Sequence, residues 1–129
     1  MVDDNKTQML QDLLERQAEL MHKIPHEHKI KDEQQGTVVA SLGLIEETLE
    51  YLNTIGFKSW RPNPLSPERQ LEELTDILFF YLELIILSGF SINEIYAQYL
   101  KKHDINLQRY ENAKKGIYDW DDRASKKEL

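Results

Sequence analysis

Four acidic residues, arranged in two pairs, have the spacing of a metal site. Glu47 and Glu50 lie three residues apart, and Glu73 and Asp76 repeat that spacing. Residues three apart on an α-helix share one face, with Cβ atoms about 5–6 Å apart, so each pair could chelate a cation. Two facing pairs would form a cage of carboxylate oxygens, which suits Mg²⁺ or Mn²⁺ and not zinc.

Acidic residues at helical spacing are more often a solvated surface, and two features argue against that alternative. The second pair directly precedes the most apolar stretch of the chain, residues 77–87, where a carboxylate is costly unless it is paired or binds a metal. No lysine or arginine lies within four residues of three of the four acids, and only Arg69 could reach Glu73. The sequence therefore predicts that a cation neutralises the cluster.

Four predicted helices must position these acids. The chain has only five glycines and four prolines in 129 residues, and its long stretches without turn residues favour helices over strands. Apolar periodicity and capping residues, chiefly Ser66-Pro67, Gly56 and Gly89, set the predicted ends. The predicted helices are residues 6–23, 37–54, 67–88 and 92–109, in one domain of residues 1–129 that ends in a polar tail over 120–129.

The charge and the apolar pattern of the sequence argue against two classes of binding partner, nucleic acid polymers and membranes. The net charge is −7 and no stripe of lysine and arginine follows a helix face, so we expect no binding to nucleic acid polymers. The apolar run at residues 77–87 is about half the length needed to cross a bilayer, so we expect no membrane insertion. The chain has no cysteine, and residues 1–8 are polar, unlike the apolar core of a signal peptide. We therefore expect a cytoplasmic protein.

Further motifs accompany the acids in a fixed order. Glu47-Thr-Leu-Glu50-Tyr-Leu-Asn53 precedes Phe57-Lys58-Ser59-Trp60, and Ser66-Pro67 precedes Glu72-Glu73-Leu-Thr-Asp76 and Gly89-Phe90. Lys102-x-x-x-Asn106-x-x-Arg109 ends the series. Over residues 17–118 this order resembles the MazG-like all-α nucleotide pyrophosphohydrolases and, within them, the dimeric dUTPases.

The resemblance implies a four- to five-helix MazG-like bundle completed by homodimerisation. It also implies Mg²⁺-dependent hydrolysis of dUTP to dUMP and pyrophosphate, with Mn²⁺ as a substitute ion. The four acids would bind the metal, and Glu47 or Glu50 would orient or deprotonate the attacking water. The implied phosphate contacts are Lys58, Lys102, Asn106 and Arg109, and the implied base and sugar contacts are Gln17, Asn53 and Trp60.

Two alternative functions stay open from the sequence. Met21 and Phe79 stand where the similar enzymes have Asn or Asp and His, and residues 110–118 depart from their usual ending. These positions bear on base recognition, so the first alternative is the same chemistry on another nucleotide, such as dCTP or a non-canonical triphosphate. The second is a non-catalytic helical interaction protein, against which the intact set of four acids argues.

Overall fold

The computed structural model of the protein describes residues 4–24 and 32–116. Within these ranges the regular secondary structure is helical, and the one β-type pairing is an isolated bridge between Lys58 and Arg61. The all-α prediction is confirmed, whereas the predicted polar tail at 120–129 lies outside the described residues. The helices are α1 (Asp4–Lys23), α2 (Glu33–Thr54), α3 (Pro67–Ser88) and α4 (Ile92–Lys114).

Helix α2 begins four residues before its predicted start. The side chain of Asp32 caps it, accepting a hydrogen bond of 2.8 Å from the backbone N–H of Gln35. Glu33 follows in the first turn, where a negative charge complements the helix dipole. The sequence-based prediction placed this polar segment in a loop because it has no apolar periodicity, and capping determined the start instead.

Helix α3 begins and ends as predicted. The Ser66 hydroxyl accepts from the backbone N–H of Arg69 at 3.3 Å, and Pro67 occupies the first turn. Gly89 ends the helix in the left-handed region, with φ of 80°, a conformation that favours glycine. Helix α4 continues five residues beyond its predicted end, to Lys114.

Helices α2 and α3 form the main packing interface, and α1 packs against α3. Gly43 permits a close approach of α2 to α3. A Cβ atom built on Gly43 would lie 2.7 Å from Cδ1 and Cζ of Phe80 and closer still to Cε1. The buried apolar residues of the described ranges are Ala40, Leu82, Ile85 and Ile92.

The outer side of α2 carries an exposed apolar stripe. Residues that are four, three and four positions apart form one line along a helix, which is the spacing of a coiled-coil contact surface. This line lies on the opposite side of α2 from Ala40, Gly43 and Glu47. It consists of Val38, Leu42, Ile45 and Leu49, which are 52%, 60%, 54% and 53% exposed.

The chain divides into two compact units. The first, Met1–Ile92, contains α1, α2 and α3, and the second, Asn93–Leu129, contains nearly all of α4. The single-domain expectation stays a prediction. Among the described residues, no single helix is long and apolar enough to cross a membrane. The pair α3 and α4 meets the requirement by length and composition only.

Candidate active site

Three of the four predicted acids come together between α2 and α3. Glu47 on α2 and Glu73 and Asp76 on α3 each offer a carboxylate oxygen, and the three oxygens all lie within 4.8 Å of one another. We call these three residues the acidic cluster. All three are half-buried. The three-residue spacing on α3 places two carboxylates on one face, and the packing of α2 against α3 supplies the third.

The acidic cluster holds more negative charge than the surrounding protein neutralises. Partial burial raises the pKa of Glu47, and the charges of Asp76, Glu73, Glu50 and Glu46 raise it further. Like charges at this separation disfavour simultaneous ionisation unless a cation lies between them. A bound cation would therefore stabilise the ionised form of the cluster.

Arg69 is the one basic residue that pairs with the cluster among the ion pairs of the described ranges. Its Nη2 lies 3.4 Å from Oε1 of Glu73, as the sequence predicted, while its Nη1 lies closer, at 2.8 Å, to Oε2 of the neighbouring Glu72. The shorter contact is with the acid outside the cluster. Arg69 therefore neutralises the cluster only partly.

Glu50 lies outside the acidic cluster. It is exposed on α2, nearly one turn beyond Glu47, and its charge contributes to the raised pKa of that residue. The structure thus brings together three of the predicted metal ligands and leaves the fourth carboxylate beside them. A carboxylate in that position remains available as a proton acceptor.

Gln17 is the predicted base-contacting residue on α1, and it is buried. Only 5% of the residue is exposed, and Oε1 has no hydrogen-bond partner among the described residues. Buried side-chain polar atoms are normally paired, so an unpaired amide oxygen indicates a missing donor. Met21, where the similar enzymes have Asn or Asp, lies one turn further along α1 and is half-buried.

The connection between α2 and α3 forms a pocket of about 240 Å³. Two predicted contact residues, Asn53 and Lys58, line it. Trp60 does not line the pocket and is 75% exposed, although its ring centroid lies 6.0 Å from Nζ of Lys58. Phe57 and Leu65 also line the pocket. Arg61 and Asn63 complete the lining, and the sequence-based prediction did not include these two residues among the contacts.

The predicted phosphate contacts on α4 belong to the second compact unit. Lys102, Asn106 and Arg109 are four and three residues apart on one continuous helix, so they share a face. Arg109 is half-buried, whereas the other two are exposed. Phe79, which replaces the usual His of similar enzymes, is exposed on α3, and the chain beyond Gly116 lies outside the described residues.

Comparison with protein families connects this geometry with a known class of enzyme. The family model described as dUTPase matches residues 9–88, more than half of the chain, and this range includes Gln17 and all four predicted acids. The chain belongs to the dimeric, all-α dUTPase family. Comparison with curated proteins and with solved structures found no match.

Membership of the dUTPase family establishes the class of reaction. The protein is a nucleoside triphosphate pyrophosphohydrolase of the dUTP diphosphatase type, and its substrate is a nucleotide. This decides against the non-catalytic interaction protein. dUTPases in general use divalent metals, and the acidic cluster supplies a carboxylate group suited to one. Lys102, Asn106 and Arg109 lie beyond the matched residues.

Proposed function

We propose that this protein hydrolyses dUTP to dUMP and pyrophosphate with Mg²⁺ as its cofactor. The observation that carries the proposal is the acidic cluster, whose three carboxylate oxygens lie within 4.8 Å of one another. The dUTPase family match over the same residues supports the nucleotide as substrate.

The donor set of the cluster fits Mg²⁺. It consists of carboxylate oxygens alone, which are hard ligands, and the chain has no cysteine to favour a softer metal. Partial burial and the charges of the neighbouring carboxylates together raise the pKa of Glu47, and a bound cation would oppose both effects. Bound Mg²⁺ would neutralise phosphate charge and lower the pKa of a coordinated water. Mn²⁺ would serve as a substitute.

Different residues around the cluster have different proposed roles in the reaction. Glu47, Glu73 and Asp76 would hold the metal, and Glu50, which lies outside the cluster, would orient the attacking water and accept its proton. Lys58 contributes positive charge to the phosphates from the pocket after α2. Lys102, Asn106 and Arg109, which share a face of α4, stay the predicted further phosphate contacts.

Gln17 supports uracil as the base. Its buried amide oxygen is an acceptor without a donor among the described residues, and the N3–H group of uracil is a donor of the right kind. Cytosine could present its N4 amino group instead, and Met21 and Phe79 remove two polar side chains that the similar enzymes use. Hydrolysis of dCTP or of a non-canonical triphosphate is therefore the second candidate function.

We further propose that the protein is a homodimer that covers the apolar stripe of α2. Four side chains that are each more than half exposed, in a line with coiled-coil spacing, fit a second copy of the same helix. The proposal agrees with the dimeric state of the similar enzymes.

A panel of nucleotides tests the proposed reaction. The protein is incubated with Mg²⁺ and each of dUTP, dCTP, dTTP, dATP, dGTP and UTP, and pyrophosphate and nucleoside monophosphate are measured. We expect turnover of dUTP that EDTA abolishes. Turnover directed to dCTP, or spread over several nucleotides, would support the second candidate function. Absence of turnover with every nucleotide would overturn the proposal.

A matched pair of variants assigns that turnover to the acidic cluster. Asp76→Asn removes one cluster carboxylate while keeping the size of the side chain. Glu68→Gln makes the same change of charge on the same helix, at an exposed residue outside the cluster. We expect the first variant to lose turnover and the second to retain it.

A further inference from the structure

The connection after α2 is folded into a closed loop by specific contacts. Gly56 adopts a φ of 71°, and a Cβ atom there would collide with the carbonyl oxygen of Pro62. The backbone N–H of Leu65 donates to the carbonyl oxygen of the buried Thr54 at 2.8 Å. The backbone N–H of Arg61 donates to the carbonyl oxygen of Lys58 at 3.0 Å. These contacts hold the side chains of the loop around the pocket.

The pocket combines apolar walls with polar groups. Phe57 and Leu65 supply apolar surface, and Asn53 and Asn63 supply two side-chain amides. Its volume of about 240 Å³ exceeds the roughly 30 Å³ of a single water several times. A concave surface with a few convergent polar groups is the usual form of a small-ligand site.

The pocket carries two positively charged side chains that form no ion pair within the described ranges. Between Tyr51 and Pro67 the sequence has no Asp or Glu, and its charged residues there are Lys58 and Arg61. Neither forms an ion pair with any residue in the described ranges, in contrast to Arg16, which pairs with an acid one turn away. Lys58 instead lies 6.0 Å from the ring centroids of both Phe57 and Trp60.

Both the pocket and the acidic cluster include a residue of α2, and these two residues lie about 120° apart around the helix axis. Asn53, which lines the pocket, follows Glu47 by six residues, a rise of about 9 Å along the helix axis. One nucleoside triphosphate is longer than this axial distance. A metal-binding cluster and a cationic pocket would suit different phosphate groups of such a substrate.

We propose that Arg61 is a second phosphate-binding residue, which acts with Lys58 to hold anionic oxygens of the nucleotide in this pocket. The proposal rests on the proposed nucleotide hydrolysis, because it assigns a further contact for the same substrate. A guanidinium group can donate two parallel hydrogen bonds to phosphate oxygens, which the ammonium group of lysine cannot do. The amides of Asn53 and Asn63 supply further donors.

Steady-state kinetics test the role of Arg61 in the full-length protein. Arg61→Ala should raise KM for dUTP about fivefold, the effect of one charge-assisted contact at a solvent-exposed site, and change kcat much less. Arg61→Lys should fall between this variant and the wild type. Arg16→Ala is the matched control, because Arg16 is an exposed arginine of the same unit that does not line the pocket. It should match the wild type.

A second measurement separates this proposal from the proposed function. Inorganic pyrophosphate is titrated calorimetrically into each variant in the presence of EDTA, so that neither metal nor turnover is required. Arg61→Ala should bind pyrophosphate about fivefold more weakly than the wild type, and Arg16→Ala should bind it equally well. Circular dichroism melts of all variants show whether each is folded.

The outcomes are distinct for the two ideas. If the wild type hydrolyses no nucleotide, the proposed function fails, and selective loss of pyrophosphate binding in Arg61→Ala still supports the pocket. If the wild type hydrolyses dUTP but Arg61→Ala keeps both its KM and its pyrophosphate affinity, the role of Arg61 is overturned while the proposed function stands.

Discussion

The ring of Phe80 occupies the space that a side chain at Gly43 would need. A Cβ at Gly43 would lie 2.7 Å from two of the ring atoms. Each residue lies one helical turn from the acidic cluster, since Gly43 precedes Glu47 by four residues and Phe80 follows Asp76 by four. The contact therefore helps to set the distance between the carboxylate of α2 and those of α3.

Substitution of Gly43 should disturb both the packing and the metal site. We expect Gly43→Ala to lower the free energy of unfolding by about 1–3 kcal/mol, because the added methyl group forces α2 and α3 apart. It should also weaken Mn²⁺ binding, measured by electron paramagnetic resonance. Phe80→Leu in the same chain provides the control, since a smaller side chain should restore part of both properties. Wild-type stability and Mn²⁺ affinity in Gly43→Ala would contradict this account of the contact.

The raised pKa of Glu47 gives the metal-free protein a defined pH dependence. Because the folded protein holds this proton more tightly than the unfolded chain does, the associated stabilisation is complete below about pH 4.3, the ordinary glutamate pKa. It is lost as the pH rises through the higher pKa of the folded state. The melting temperature of the metal-free protein should therefore fall over that interval.

Replacement of Glu47 by glutamine should remove this effect. At neutral pH without metal, Glu47→Gln should melt a few degrees above the wild type, because it removes a partly buried charge and relieves repulsion within the cluster. Mg²⁺ should raise the melting temperature of the wild type and raise that of the variant less. A variant that melts at or below the wild type at every pH would show that the cluster is not under electrostatic repulsion.

Glu50 and Asp76 should differ in what they contribute to turnover. Asp76→Asn removes a carboxylate of the acidic cluster, so it should lose Mn²⁺ affinity as well as activity. Glu50→Gln should keep most of its Mn²⁺ affinity and lose about 10²-fold or more in kcat, the usual effect of removing a general base. Calorimetric titration with Mn²⁺ and a kinetic assay distinguish the two. Equal loss of Mn²⁺ affinity in both variants would make Glu50 a fourth ligand.

Charged residues in the apolar stripe of α2 should prevent dimerisation. We expect Leu42→Glu and Ile45→Glu to elute as monomers in size-exclusion chromatography with light scattering, whereas the wild type elutes as a dimer. Met9→Glu, at another exposed apolar residue, is the control and should remain dimeric. A monomeric wild type, or dimeric stripe variants, would rule out this interface.

The sequence predicted those features that short segments determine. The ends of α3 depend on Ser66, Pro67 and Gly89, all within two residues of the boundary, and they were predicted correctly. The start of α2 was placed too late because its cap, Asp32, lies in a polar segment without apolar periodicity. Helical spacing alone also sufficed to place Glu73 and Asp76 on one face.

Features that depend on packing between segments could not be read from spacing. Glu47 and Glu50 are both acids on α2, and the rotation of α2 against α3 decides that only Glu47 joins the cluster. Arg61 follows a recognisable motif, but its place in the pocket depends on how Gly56 and Pro62 fold the loop back. The absence of acids between residues 51 and 67 was the one signal in the sequence that pointed to it.

The described part of the chain has only four buried apolar side chains, Ala40, Leu82, Ile85 and Ile92, while four apolar residues of α2 are more than half exposed. Burial of that stripe in a second copy would add apolar contact that the isolated subunit lacks. Folding and association would then be one equilibrium, and the melting temperature would rise with protein concentration. Dilution would thus lower the stability of this enzyme, as a mild denaturant lowers the stability of a monomeric protein.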